Sequence, residues 1–124
     1  MRTLLIVDDE EKVREVLSRF FTTRGFSVTT AGSGAEALKR LDAWAPDYLL
    51  LDIHMPDVSG LDVLQQAKQR HPALRVVMVT GRDDTALMDR AFELGAVDYV
   101  TKPLNFDEQR WARAFFADAA PTPE

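Results

Sequence analysis

Three aspartates stand where apolar runs stop. Leu4-Leu5-Ile6-Val7 runs into Asp8-Asp9, and Leu49-Leu50-Leu51 runs into Asp52, with Pro56 and Gly60 close behind. A third run, residues 76–79, ends at Thr80-Gly81, and a fourth leads through Thr101 to Lys102-Pro103. Short apolar runs closed by turn residues read as strands buried on both faces. In an open parallel sheet the carboxyl ends of all strands share one edge, and ligands bind there. Asp8, Asp9, Asp52, Thr80 and Lys102 therefore gather at one place.

That set of side chains points to phosphoryl chemistry. Two carboxylates about 5 Å apart repel by roughly 3 kcal/mol at an effective dielectric near 20. Protonation or a hard divalent cation relieves this, and an all-oxygen cluster without cysteine suits Mg²⁺ or Mn²⁺. With a cation bound, one carboxylate is free to act as a nucleophile and form an acyl phosphate. A lysine cation and a hydroxyl donor are what the oxygens of a transferred phosphoryl group require. A lone carboxylate at a strand end is ordinarily a helix cap. The joint occurrence on four strand ends carries the functional reading.

The elements that must position these residues follow from periodicity. The spacing predicts strands over residues 4–7, 26–30, 48–52, 76–79 and 98–100. Val13, Val16, Leu17, Phe20 and Phe21 recur as one stripe of a helix that begins near Glu10 and stops at Gly25. Ser33-Gly34-Ala35-Glu36 is a capping box, with Ala37, Leu38 and Leu41 as the apolar face of helix two, closed by Pro46. Helix three opens near Ser59, carries Leu61, Leu64 and Ala67 inward and ends before Pro72. Helix four covers residues 83–94, with Leu87, Ala91 and Leu94 inward and Gly95 as its stop. Helix five covers 105–119, offering Phe106, Trp111, Ala114 and Phe115 for packing.

A five-fold β-α alternation implies parallel strands joined by right-handed crossovers. The expected fold is a flavodoxin-like (βα)5 doubly wound three-layer sandwich. The pattern alone does not fix the strand order; of the common orders we adopt 2-1-3-4-5.

The chain has 124 residues, 46% of them hydrophobic and 28% charged, and no cysteine. That length suits one domain, expected over 1–120, with 121–124 as a tail or linker stump. The absence of cysteine removes disulfides and thiolate chemistry. Four apolar residues at the start are too few for a signal-peptide core or a membrane span, so the expected location is cytoplasmic, with no membrane partner. A net charge of −5 argues against direct nucleic-acid binding by this chain.

Taken in order, Leu5-Ile6-Val7-Asp8-Asp9-Glu10, Leu51-Asp52-Ile53-His54-Met55-Pro56 with Gly60, Val79-Thr80-Gly81, Gly95-Ala96 and Tyr99-Val100-Thr101-Lys102-Pro103 resemble the receiver domain of two-component response regulators. The resemblance covers essentially the whole chain. It implies that Asp52 is the phosphoacceptor, Asp9 a direct Mg²⁺ ligand, Asp8 a ligand acting largely through water, and the His54 carbonyl a further ligand. It implies that Thr80 and Lys102 bind the phosphoryl group and that the Lys102–Pro103 bond is cis. It also makes Thr80 and Tyr99 the switch pair, and His54 and Arg82 the neighbours that tune phosphoryl lifetime.

The partners implied are a sensor histidine kinase or histidine phosphotransfer protein, and a downstream effector or an output domain missing from this stretch. Part of the helix-one stripe is a candidate kinase-docking face. A homodimer through helix four, strand five and helix five stays open, because Gln109 and Arg110 stand where receivers commonly carry leucines. On this reading the chain is a signalling phosphoacceptor rather than an enzyme. The alternative is a Mg²⁺-dependent aspartyl-nucleophile phosphohydrolase, which wants a second Asp where this chain has His54. A receiver that only docks would need an incomplete pocket.

Overall fold

A computed structural model of the chain describes residues 2–81, 84–104, 111 and 115. The elements are β1 (Arg2–Val7), α1 (Glu11–Thr22), β2 (Phe26–Ala31), α2 (Gly34–Ala43), β3 (Tyr48–Asp52), α3 (Gly60–Arg70), β4 (Arg75–Thr80), α4 (Thr85–Glu93) and β5 (Asp98–Thr101). Every strand pairing is parallel, and the order is β2-β1-β3-β4-β5. The expected doubly wound order and flavodoxin-like fold are thus observed.

Period-two side-chain direction splits each central strand between two cores. Leu5, Val7, Leu49, Leu51, Val76 and Met78 pack under α2, α3 and α4. Leu4, Ile6, Leu50, Val77 and Val79 face the opposite side, against Leu17 and Phe21 of α1 and against Trp111 and Phe115. Burial on both faces explains the unbroken apolar runs. The second core is aromatic: Phe21 lies 4.8 Å from Phe115 and 5.3 Å from Trp111, centroid to centroid, in tilted or edge-on geometry. Trp111 and Phe115 pack as expected; the remaining residues assigned to helix five lie outside those described, as do 121–124.

Several local expectations are refined. On α1, Leu17 and Phe21 are buried, but Val16 is 48% exposed, because the inward stripe centres on the i, i+4 pair and leaves Val16 on its flank. On α4, Met88 joins Ala91 in the core, while Leu87 and Leu94 are only half-buried against it. That helix starts at Thr85, and Asp84 at its N-cap makes no side-chain cap. Ser33 does cap α2 through Glu36 N, but the Glu36 carboxylate reaches back one residue further than a standard box, to Gly32 N. Gly25 and Gly95, expected to stop helices, take φ of 93° and 111°. Among the described residues no helix is long and apolar enough to cross a membrane.

Gly60 is demanded by contact. Its N–H donates to the Ile53 carbonyl at 3.0 Å. A Cβ at this position would lie 2.6 Å from Ile53 Cα and 2.8 Å from Ile53 O. Even a methyl group must push α3 off the end of β3. We expect Gly60→Ala to destabilise the fold by roughly 2 kcal/mol, within the usual cost of overpacking. A lowered urea midpoint with unchanged slope checks this; an unchanged midpoint contradicts it.

Candidate functional site

Strand register brings the polar residues together. Val7 pairs with Leu51, so the next residues, Asp8 and Asp52, leave neighbouring strands side by side. Asp52 pairs with Val79, one residue before Thr80, and Thr80 pairs with Thr101, one residue before Lys102. The buried polar residues among those described are Asp8, Asp52 and Thr80, at 1%, 4% and 2% exposure. All three stand at this edge, although burying such groups is costly unless they are compensated.

Lys102 supplies part of the compensation. Its Nζ donates to Asp52 Oδ2 at 3.0 Å and lies 3.3 Å from Asp8 Oδ2 and 3.6 Å from Glu10 Oε2. Asp52 Oδ1 accepts the His54 N–H at 3.0 Å, and Asp8 Oδ1 accepts the Glu10 N–H at 2.9 Å. Burial pushes the Asp52 carboxyl above its ordinary range; the His54 N–H and Lys102 offset this only in part, and the Asp8 charge adds to it. Burial alone would lower the Lys102 ammonium, but Asp52 and Asp8 outweigh it and raise its pKa to about 12. Lys102 is therefore a cation throughout the physiological range.

Among the described residues, Lys102 is one cation against several carboxylates. Asp8, Asp9 and Glu10 each bring a carboxylate oxygen within 4.8 Å of the others. Asp52 joins that cluster through Lys102 instead of belonging to it, because Nζ sits between the two carboxylates. Asp8 Oδ2 is buried, with the Lys102 ammonium 3.3 Å away but no well-aligned hydrogen bond among the described residues. A hard divalent cation fits this donor set: all ligands are oxygens, charge is in excess, and one buried lone pair is unspent.

The other expected residues fall around this centre. Thr80 closes β4, and its carbonyl accepts the Lys102 N–H at 2.7 Å. The Lys102–Pro103 peptide is cis. Tyr99 is 39% exposed, with its ring 6.2 Å from Phe92. It lines a cavity of about 370 Å³ together with Thr80, Asp84, Met88, Phe92 and Thr101. Arg82 lies outside the described residues.

Three participants escape a reading of the sequence. Glu10 approaches Lys102 although it is the N-cap of α1, and its place after Asp8-Asp9 was the only signal. Asp57 accepts N–H bonds from Gly34 and Ala35, pinning the β3–α3 loop to the start of α2. The N–H groups of Ala35 and then Gly34 hold its carboxyl below the ordinary range. Asp84 Oδ2 accepts the Gly81 N–H at 2.6 Å, while Asp84 Oδ1 lies 3.0 Å from His54 Nε2. Burial pushes Asp84 up, but the His54 ring and Gly81 N–H together hold it below its ordinary value.

The comparisons with known proteins agree with one another. The family model for the response regulator receiver domain matches residues 4–112. The chain is 47% identical over 103 residues to the DNA-binding transcriptional regulator NtrC of Klebsiella pneumoniae, covering 83% of this chain and 22% of that protein. It thus spans about a fifth of that relative's length. A CheY-like response regulator receiver domain protein from Methanospirillum hungatei JF-1 superposes with a TM-score of 0.87 at 25% identity, covering 96% of this chain and 95% of that one. A response regulator protein from Burkholderia pseudomallei, solved with a phosphorylated aspartic acid, calcium ion and citrate, superposes at 0.84 with 28% identity, covering 96% and 69%.

The raised Asp52 pKa fixes the sign of a stability change. The folded state binds the Asp52 proton more readily than the unfolded chain, so this group's contribution rises as the pH falls toward the ordinary carboxylate range. Asp52→Asn removes the buried charge while keeping its shape. Without divalent cations we expect it to raise stability at pH 7 by about 1 kcal/mol, a usual return for neutralising a functional site. The difference should close in acid, where the parent carboxyl is protonated. A variant less stable than the parent at pH 7 contradicts this.

Proposed function

We propose a function for a chain that belongs to the response regulator receiver domain family: Asp52 accepts a phosphoryl group from a histidine, and the fold reports its arrival. The observation that carries this is Lys102 Nζ held between Asp52 and Asp8 at the buried carboxyl edge of the sheet, one strand from Thr80. The phosphorylated aspartic acid and calcium ion of the Burkholderia pseudomallei relative support the same reading.

Mg²⁺ (or Mn²⁺) would be held by Asp8, Asp9, Asp52 and the His54 carbonyl, and when bound it would screen the charge of the incoming phosphoryl oxygens. The chain's own residues do the rest. An Asp52 carboxylate oxygen attacks phosphorus; the new P–O bond forms as the donor's P–N bond breaks, and the histidine leaves with its electron pair. Lys102, already aimed at Asp52, pairs with a phosphoryl oxygen. Thr80 donates its hydroxyl to another. Water later attacks phosphorus, releasing inorganic phosphate and restoring the carboxylate. His54 and Arg82 tune that step.

The signal follows from charge. An acyl phosphate replaces one negative charge by about two. Thr80 moves toward it, and Tyr99, which lines the same cavity as Thr80, turns in from its half-exposed position. Phe92 of α4, Val97 of the α4–β5 connection and Tyr99 of β5, all exposed, form the surface that an effector, an output domain or a second copy would read. The donor is a sensor histidine kinase or histidine phosphotransfer protein, docking near the exposed Val16 of α1. The phosphohydrolase alternative loses ground, because the His54 ring engages Asp84 and offers no acid or base at Asp52. The chain acts as a cytoplasmic signalling phosphoacceptor, with only self-catalysed transfer and hydrolysis.

Acetyl phosphate with Mg²⁺ should add one phosphoryl mass to the parent and none to Asp52→Asn; label on serine, threonine or histidine contradicts the proposal. Lys102→Ala should still bind Mg²⁺ but lose the change in Tyr99 fluorescence or resonance on phosphorylation. A Tyr99 environment that never changes in the phosphorylated parent defeats the switch.

A further inference from the structure

Asp84 joins the chain just past β3 to the chain just past β4. β3 and β4 are neighbours, and Asp52 pairs with Val79, so the loops that leave them start side by side. His54 is two residues past Asp52, and Gly81 one residue past Thr80. Asp84 reaches both: Oδ2 accepts the Gly81 N–H at 2.6 Å, and Oδ1 accepts from His54 Nε2 at 3.0 Å. The carboxylate accepts only, so the imidazole nitrogen facing it must carry the proton. The Asp84 side chain is 11% exposed and the His54 side chain 66% exposed, so the link is anchored on the Asp84 side and open to water on the other.

An anion is thus already seated on the main-chain N–H next to Thr80. Backbone N–H groups where a strand gives way to a loop are natural phosphoryl donors. A phosphoryl group on Asp52 needs such donors and repels a second anion beside them. The link also ties Gly81, the residue after Thr80, to His54 in the loop after Asp52.

We propose that Asp84 is a positioning residue that withholds the Gly81 N–H in the resting state and yields it to the phosphoryl group, with His54 as the other half of the clasp. Arrival of the phosphoryl group displaces the Asp84 carboxylate, frees the His54 ring and lets the β4–α4 loop move with Thr80. The clasp therefore sets how strongly the resting arrangement resists phosphorylation. This rests on the phosphoacceptor reading of Asp52.

The test is an equilibrium one. Beryllofluoride, a phosphoryl mimic, is titrated with Mg²⁺ into the parent, Asp84→Ala, Asp84→Asn and His54→Ala, followed by the Gly81 and Tyr99 amide resonances. Asp84→Ala should bind roughly tenfold more tightly, within the usual range of coupling between a conformational restraint and a ligand. Asp84→Asn, which keeps an acceptor but loses the charge, should fall between Asp84→Ala and the parent. His54→Ala should tighten binding less than Asp84→Ala, and the double variant should add nothing beyond Asp84→Ala, as two residues of one link require. Should Asp84→Ala fail to fold, the Asp84→Asn and His54→Ala titrations decide alone. A parent that binds, with variants that bind equally or more weakly, overturns the clasp and leaves the phosphoacceptor reading intact. A parent that takes neither beryllofluoride nor acetyl phosphate overturns that reading and the clasp with it.

Discussion

Excess negative charge, buried at one edge of a parallel sheet, is the constraint around which this molecule is built. Asp8 and Asp52 are almost wholly inaccessible, and Asp9 and Glu10 stand beside them. Among the described residues, Lys102 alone reaches across the group, through contacts of 3.0 to 3.6 Å. Removing charges from water costs several kcal/mol per ion, and a single shared ammonium repays only part of that. On the proposed reading, such a site is primed for a cation, or a phosphoryl group with its cation, that completes the balance. Stability is forgone here for responsiveness, which is the usual character of a functional edge.

The rest of the fold holds this edge still. Strands buried on both faces cannot slip in register without sending a whole set of apolar side chains to the wrong core. Register in turn places Asp8 beside Asp52 and Thr80 one residue from the Lys102 strand end. Gly60 lets α3 begin against the Asp52–Ile53 backbone, and Asp57 ties the same loop to α2. The loop carrying the His54 carbonyl is therefore held at both ends. On the other side, Gly81 at the end of β4 is held by a hydrogen bond to the Asp84 carboxylate.

Much of this was legible in the sequence, for identifiable reasons. The strand runs could be read because burial on both faces leaves no polar alternation to interpret. Asp8, Asp52, Thr80 and Lys102 could be read because parallel topology puts every strand end on one edge, whatever the loops do. What escaped depends on contacts between distant residues. Nothing in the sequence ties Asp57 to Gly34 and Ala35, and nothing marks Asp84, which falls within the expected helix four, as a partner of Gly81 and His54. Val16 looked inward because a five-residue stripe is wider than the face that α1 buries. Glu10 was visible only as a neighbour of the aspartate pair, and its approach to Lys102 needs the β5 end in place.

The central claim is that the Asp8–Asp9–Asp52 edge is a single hard-cation site. Isothermal titration of Mg²⁺ into the metal-free chain and into Asp8→Asn and Asp9→Asn tests it most directly. The account predicts one cation per parent chain, with affinity falling at least tenfold in each variant while both stay folded. Binding that ignores both substitutions, or no binding to the parent at all, would contradict it.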